Sequence, residues 1–377
     1  MHSKRSQVDP FLVMEIMAEA TKREGTGQNI IHMEVGQPGT AAPQGARDMV
    51  AKHLNEPLGY SLALGREDLR KAIAQKYKRE IGRDISTERI ILTTGSSAAF
   101  QLAFIALFDA GARVAIAEPG YPSYRNILKA LSLNPIGIVT EIENGFQPLP
   151  SDIDCNVMDG ILVASPANPT GTVLGEVELR ALIDKAQSEG VPFISDEIYH
   201  GLTYGERATS ALEISDNVLI INSFSKYYSM TGWRLGWMVV PEDTVKVFEP
   251  LAQNMFICPP HISQIAALGA LQSITECEAN RGTYAKNRKH IEDALVAMGM
   301  NKFSPPDGGF YFYVDVSDYC SDSRDLANDW LDHGVSATPG WDFDPIRGGQ
   351  YIRLSYARSE ADIIEGIKRL KNWHETL

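Results

Sequence analysis

The 377-residue chain is 44% hydrophobic and 22% charged, which places it among ordinary globular proteins and excludes a disordered or low-complexity chain. Its 35 Lys and Arg stand against 48 Asp and Glu, and a net charge of −13 opposes binding to nucleic acid or an anionic membrane surface. Cys155, Cys258, Cys277 and Cys320 are widely spaced and read as reduced thiols, and no segment reads as a signal peptide or membrane span, so a soluble cytoplasmic protein is expected.

In chain order, residues 11–24 predict an amphipathic helix, closed by Gly25 and Gly27 and followed by a strand over 30–35. A helix over 66–81 leads to a strand at 89–93, a helix at 97–108 and a strand at 113–117. Further strands are predicted at 136–139, 160–164, 192–195, 218–222 and 235–239, with helices at 176–189 and 244–253. The strands are rich in Ile and Val and do not alternate with polar residues, as in a sheet covered on both faces. A long helix near 283–298, elements at 310–316, 326–332 and 351–354 and a final helix at 360–373 complete the chain. The expected fold is α/β, a three-layer and mostly parallel sheet in a large domain over 41–282. A smaller α+β domain is expected from both chain ends, 9–40 and 283–377.

Four predicted strands end in stretches of unusual character. They are Thr94-Gly95-Ser96-Ser97, Ser165-Pro-Ala-Asn168-Pro169-Thr170-Gly171, Asp196-Glu197-Ile198-Tyr199-His200, and the run from Ser223 through Lys226 to Arg234. In open α/β sheets ligands bind outside the carboxyl ends of the strands, so the four predict one site. Ser96 and Ser97 open a helix, where they serve either as ordinary caps or as donors to a phosphate. Ser223, Ser225 and Arg234 supply hydroxyls and a guanidinium that match a phosphate dianion, and Lys226 among them suits a Schiff base with a phosphorylated aldehyde. Asp196 either caps a turn or holds a pyridinium N–H. Tyr199 and Asn168 are placed to meet a ring oxygen, although Asn168 before Pro169 is also a plain turn residue. Tyr121 is either packing or the planar face for a bound ring.

The run S-F-S-K-Y-Y-S-M-T-G-W-R-L-G from Ser223 to Gly236 resembles the lysine signature of the class I pyridoxal-phosphate aminotransferases of fold type I. V-G-Q-P at Val35, Y-x-x-x-x-G at Tyr60, T-G-S-S at Thr94, P-G-Y-P-S-Y at Pro119, N-P-T-G at Asn168, S-D-E-I-Y at Ser195 and Y-I-R-L-S-Y-A at Tyr351 follow the family's order. The resemblance implies pyridoxal 5'-phosphate as cofactor, Lys226 as the Schiff-base lysine and proton carrier, and Asp196 as partner of the ring nitrogen. It also implies Tyr199 and Asn168 at the ring oxygen, Tyr121 as the stacking face, and Ser96, Ser97, Ser223, Ser225 and Arg234 around the phosphate. Arg353, helped by Asn168 and the Gly36 backbone, would hold the substrate α-carboxylate. Tyr60 would reach the phosphate of a second subunit, which makes a homodimer the expected assembly. Gly39 stands where many relatives have an acidic residue followed by an aromatic one, and no basic residue stands out as the reader of a side-chain carboxylate.

The implied reaction moves an amino group from an L-amino acid to a 2-oxo acid such as 2-oxoglutarate or pyruvate. A lyase on the same fold, cleaving a β carbon–sulfur bond or acting in the manner of aminocyclopropane-carboxylate formation, is the alternative. A non-catalytic regulator built on this fold sits poorly with the acidic charge. No metal-binding H-E-x-x-H, phosphate-binding Walker loop, G-x-S-x-G or G-x-G-x-x-G motif competes.

Overall fold

The computed structural model describes residues 2–377. Its strands are β1 (Ile31–His32), β2 (Ile90–Thr93), β3 (Arg113–Glu118), β4 (Asn134–Val139), β5 (Gly160–Ala164), β6 (Phe193–Asp196), β7 (Leu219–Ser223) and β8 (Gly236–Val239). Then follow β9 (Tyr311–Asp315), β10 (Val335–Ser336), β11 (Thr338–Pro339) and β12 (Tyr351–Ser355). Seven of them form one sheet in the order β2-β8-β7-β6-β5-β3-β4, a three-stranded sheet runs β11-β12-β9, and β1 pairs with β10.

The large sheet is parallel except for β8, which runs antiparallel to both β2 and β7. A parallel return needs a crossover, usually a helix, and the connection over 224–235 holds only a 3₁₀ turn at Thr231–Trp233, so the chain reverses. The reversal brings the start of β8 to the same edge as the ends of β2, β5, β6 and β7. Arg234, just before β8, therefore arrives beside the loops that follow the parallel strands.

Strands β2, β6, β7 and β8 are buried at every position, including the polar residues Thr93, Ser195, Asp196, Asn222 and Ser223 with which β2, β6 and β7 end. β4 departs from that pattern. It is one of the two edge strands, it carries Pro135, and Asn134 and Val139 are exposed. The helix Gly95–Leu107 packs on β7 and β8, and Pro122–Ala130 packs on β3 and β4. One apolar cluster continues from Ile220 in the large sheet to Phe310 and Ile352 by the small one.

The helices Gln44–His53, Pro122–Ala130 and His261–Ala270 are absent from the sequence reading. Each begins at or just after a proline (Pro43, Pro122 and Pro260), which marks a turn in sequence yet suits a helix start, where no N–H partner is needed. The expected strand over 30–35 shrinks to Ile31–His32, because beyond it the backbone serves separate partners. Met33 N–H donates to Ser336 O at 2.9 Å, Met33 O accepts from Ser355 N–H at 2.7 Å, and Glu34 O accepts from Arg353. The helix expected near 283–298 starts earlier, as Ile274–Ala297.

A Cβ on Gly236 would sit 2.8 Å from Asn222 O and 3.0 Å from Ser96 N, all backbone that cannot yield locally. Gly236→Ala is therefore expected to cost about 1–3 kcal/mol. The check is the denaturant midpoint, which should fall; an unchanged midpoint would show that β7, β8 and the helix start can part freely.

Candidate functional site

The helix Gly95–Leu107 begins with Gly95 at φ +71°, a conformation open to glycine, and a Cβ there would lie 2.4 Å from Arg234 Nη2. The guanidinium thus lies against the free N-terminal end of the helix, where Ser96 and Ser97 bring hydroxyls and unpaired N–H groups. Arg234 itself has φ +50°, and its Nη1 donates to Thr231 O at 3.0 Å. Ser225 faces the same cavity, while Ser223 lies behind it, donating to Ser225 Oγ at 2.8 Å and Leu235 O at 3.2 Å.

Asp196 closes β6 and is buried. Its Oδ1 accepts from Ile198 N–H at 3.1 Å and its Oδ2 from the Tyr124 hydroxyl. Burial pushes its carboxyl up to about 6, against the opposing pull of these donors. Three residues on, the Tyr199 hydroxyl meets that of Tyr311 at 2.7 Å. Lys226 Nζ donates to Gly36 O at 2.7 Å, and burial, seconded by the Arg353 charge, brings the amine down to about 7. A Cβ on Gly36 would fall 1.8 Å from the Tyr311 hydroxyl, so only glycine fits there.

Arg353 lies in β12, buried between the rings of Tyr311 and Phe343 at 4.5 and 4.6 Å. Its Nη1 donates to Asn168 Oδ1 at 2.9 Å, and its Nη2 to Glu34 O and, at 3.4 Å, to Thr338 Oγ1. Its Nε is buried without an acceptor. Phe11, Val13 and Met14 form an apolar wall of the same cavity. Both oxygens of the Asp342 carboxylate hold that segment by accepting from Leu12 N–H at 2.8 Å and Val13 N–H at 2.9 Å. Phe11 stacks on Tyr121, with ring centroids 6.2 Å apart and planes 22° apart.

These residues enclose a cavity of about 220 Å³. Gly36, Ser96, Ser97, Tyr121, Asn168, Asp196, Tyr199, Ser225, Lys226, Arg234 and Arg353 all line it. Ser223 does not, and Tyr60 is 81% exposed, outside the cavity of its own chain. The sequence reading missed Tyr124, Tyr311 and the Phe11–Met14 wall. The Y-P-S-Y spacing that offered Tyr121 also contained Tyr124, but nothing in sequence signalled Tyr311 or Phe11. A larger crevice of about 440 Å³ opens by Tyr77 and Tyr227. Its cations already face carboxylates, Lys76 with Glu80, Arg207 with Glu213 at 2.7 Å and Arg281 with Glu278 at 2.5 Å.

Among the described residues lining the 220 Å³ cavity, three cations face one carboxylate, with a glycine-backed cradle at one end and an orphaned Arg353 N–H at the other. That donor set suits a phosphate, a ring with a basic nitrogen and a second small anion. Residues 29–370 match the family Aminotransferase class I and II. The chain belongs to this family. It is 45% identical to the valine–pyruvate aminotransferase of Mycobacterium tuberculosis, over 98% of this chain and 97% of that one. A crystal structure of an aminotransferase from M. tuberculosis matches over 100% of both chains with TM-score 0.97 and 43% identity. The aspartate aminotransferase of Thermus thermophilus with maleate matches over 99% of both chains with TM-score 0.92 and 29% identity.

The aminotransferase moves an amino group from an amino acid to a 2-oxo acid and uses pyridoxal phosphate; the comparisons do not favour the lyase alternative. The donor set of the cavity, with hydroxyls and a guanidinium at a helix start, one buried carboxylate and one amine, fits this cofactor. No helix among the described residues is long and apolar enough to cross a membrane.

A protonated Lys226 Nζ has no lone pair for a carbonyl. The rate at which cofactor-free aminotransferase takes up pyridoxal phosphate should therefore rise with pH through about 7 and then level off. Arg353→Met removes the largest charge that lowers the amine and should move the midpoint upward. Stopped-flow absorbance across the pH range measures this, and a rate flat with pH would contradict it.

Proposed function

We propose that this aminotransferase takes its amino group from an L-amino acid with an apolar side chain and passes it to a small 2-oxo acid, pyruvate ahead of 2-oxoglutarate. The observation that carries this reading is the wall of Phe11, Val13 and Met14 in a cavity whose cations are Lys226, Arg234 and Arg353 alone among the described lining residues. If Arg234 serves the phosphate and Arg353 the α-carboxylate, no cation is left for a side-chain carboxylate. The likeness to a protein named valine–pyruvate aminotransferase supports the same choice.

When bound, pyridoxal phosphate supplies a carbonyl that condenses with amines and a ring that draws electrons from the substrate α-carbon. The chain's own residues do the rest. Arg353 holds the α-carboxylate through its guanidinium fork, with Asn168 and the Gly36 backbone beside it. The Lys226 amine, about half of it neutral at pH 7, takes the α-proton and returns it. Asp196 keeps the ring nitrogen protonated, because its buried carboxylate gains a cationic N–H partner. Tyr199 and Asn168 donate to the ring oxygen and Tyr121 covers the ring face. Ser96, Ser97, Ser225 and Arg234 hold the phosphate, with Ser223 fixing Ser225 from behind.

The same reading makes the working unit a homodimer in which Tyr60 reaches the partner's phosphate. Its 81% exposure, next to Leu58 and Leu62 at 41% and 68%, supports a covering subunit. It also assigns residues 9–40 and 283–377 to a small domain on the large one over 41–282, in keeping with the β1–β10 pairing of the two chain ends. A cytoplasmic location agrees with four free thiols, of which Cys155 is exposed.

A panel of amino acids against pyruvate, 2-oxoglutarate and oxaloacetate tests the substrate class. Valine, leucine or alanine should exceed aspartate and glutamate in kcat/KM by about tenfold or more, a margin of about 1.4 kcal/mol. A preference for aspartate or glutamate would overturn the reading.

For the shared site, nearly inactive Tyr60→Ala and Lys226→Ala subunits should regain activity when mixed, since one site of each mixed dimer then carries neither defect. Verified mixed dimers with no gain in activity would put Tyr60 in its own chain's site.

A further inference from the structure

We infer that Tyr311 is a positioning residue that carries the state of the carboxylate clamp, Arg353, to the cofactor ring oxygen through the Tyr199 hydroxyl. The inference rests on the proposed roles of Arg353 and Tyr199 and adds a link between them.

The link begins in the small sheet. In the antiparallel pairing of β9 and β12, Arg353 lies opposite Tyr313 and Tyr311 lies opposite Ser355. Tyr311 is therefore the diagonal neighbour of Arg353 on one face, within reach of a long side chain. The guanidinium sits 4.5 Å from the centre of the Tyr311 ring, and both side chains are buried. At the far end of that ring the hydroxyl meets Tyr199 at 2.7 Å, pressed against Gly36 from the other side. One side chain thus touches the clamp, the substrate-side backbone and the ring-oxygen donor.

Proton counting gives the link a direction. Two hydroxyls share one hydrogen bond, and either can be its donor. If Tyr199 spends its proton on the ring oxygen, it has only lone pairs to offer Tyr311, so Tyr311 must donate to Tyr199. Such chains strengthen cooperatively, and a cation over the Tyr311 ring makes its hydroxyl a better donor. Burial holds the Tyr311 phenol up, and the Arg353 charge is the leading influence that lowers it. The charged and titratable neighbours of the tyrosine pair are Arg353, Lys226 and Tyr121. A substrate carboxylate on Arg353 cancels the cation, weakens both donors in turn and leaves the ring oxygen less stabilised as an anion. The direct link from Arg353 Nη1 to Asn168 Oδ1 runs beside it, so the Tyr311 route carries part of the coupling.

The two rings are held without their hydroxyl bond. Gly309 N–H donates to Leu202 O at 2.8 Å and Tyr204 N–H to Asp307 O at 3.0 Å, tying the β6 loop to the start of β9. The rings also pack edge to face, 5.7 Å apart at 78°. Tyr311→Phe should keep this frame and remove one oxygen.

The experiment titrates the visible absorbance of the loaded enzyme with pH, with and without 3-methylbutanoate, a carboxylate with no amine or oxo group to react. In the wild type the carboxylate should raise the apparent pKa of the cofactor. In Tyr311→Phe that rise should shrink to about half, and in Arg353→Lys it should nearly vanish. Should Tyr311→Phe not hold cofactor, Tyr199→Phe cuts the same bond together with the bond to the ring oxygen, and should shrink the rise at least as far. In a Tyr199→Phe background, adding Tyr311→Phe should remove nothing further. A rise in Tyr311→Phe equal to wild type, with Arg353→Lys abolishing it, overturns the inference and leaves the clamp intact. A wild-type enzyme with no rise, or an Arg353→Lys variant that keeps it all, overturns the inference and the clamp together.

Discussion

Buried positive charge is normally neutralised by carboxylates, because an unpaired ion far from water costs several kcal/mol. In the cavity of this aminotransferase the buried Arg353, the half-buried Lys226 and the exposed Arg234 are instead all held by neutral oxygens. Arg234 donates to Thr231 O, Arg353 to Asn168 Oδ1 and Glu34 O, and Lys226 to Gly36 O. Carbonyl dipoles fix the direction of each side chain without cancelling its charge. Two consequences follow from that single choice. The guanidinium groups stay available for a phosphate and a carboxylate, and the lysine, repelled by Arg353 and stripped of water, sheds its proton near neutrality. Asp196, held in a buried place by Tyr124 and a backbone N–H, is the one carboxylate among the described lining residues.

The fold meets this constraint by collecting charges from distant parts of the chain on one sheet edge. Parallel strands deliver Ser96, Asn168, Asp196 and Lys226 because their ends point the same way, and the antiparallel β8 adds Arg234 from its opposite end. Arg353 comes from the separate β11-β12-β9 sheet, with Tyr311 as its diagonal neighbour. The Asp342 carboxylate, next to that sheet, caps the N-terminal helix and so sets the apolar wall over the same cavity. Arg353 and the apolar wall are thus carried by neighbouring pieces of structure, which on the proposed function would couple the grip on the α-carboxylate to the place where the side chain is read.

What the sequence made legible divides along physical lines. Lys226, Arg234, Asp196 and the Gly95–Ser97 turn lie at strand ends within short runs, where local spacing already dictates the geometry. Tyr311 and Phe11 gain their places through contacts with Tyr199, Arg353 and Tyr121, far away in sequence, and no local pattern encodes that. Ser223 sits in the same run as Ser225 yet turns inward, a difference of facing along the chain that a signature does not carry. The unforeseen helices share a simpler cause, since a proline reads as a break in sequence although the first turn of a helix tolerates it. Conversely, Asn134 and Val139 are exposed because β4 is an edge strand, whereas the other edge, β2, stays buried under the packed helix Glu67–Ile81, a difference only the strand order and packing reveal.

The net charge of −13 and a cavity of three cations are two scales of one electrostatic design. At physiological ionic strength the acidic surface is screened beyond about 8 Å, so a 2-oxo acid anion meets little repulsion until it is close. Inside the cavity, screening is weak and the cations dominate. On the proposed function, a zwitterionic amino acid would bring one carboxylate for Arg353 and an amine that must lose its proton near Lys226. On the same proposal, a second carboxylate would face Phe11, Val13 and Met14 and find no cationic partner there. Discrimination of that kind would need no dedicated repulsive residue: on the proposed function, an apolar wall beside cations engaged elsewhere disfavours a dicarboxylate.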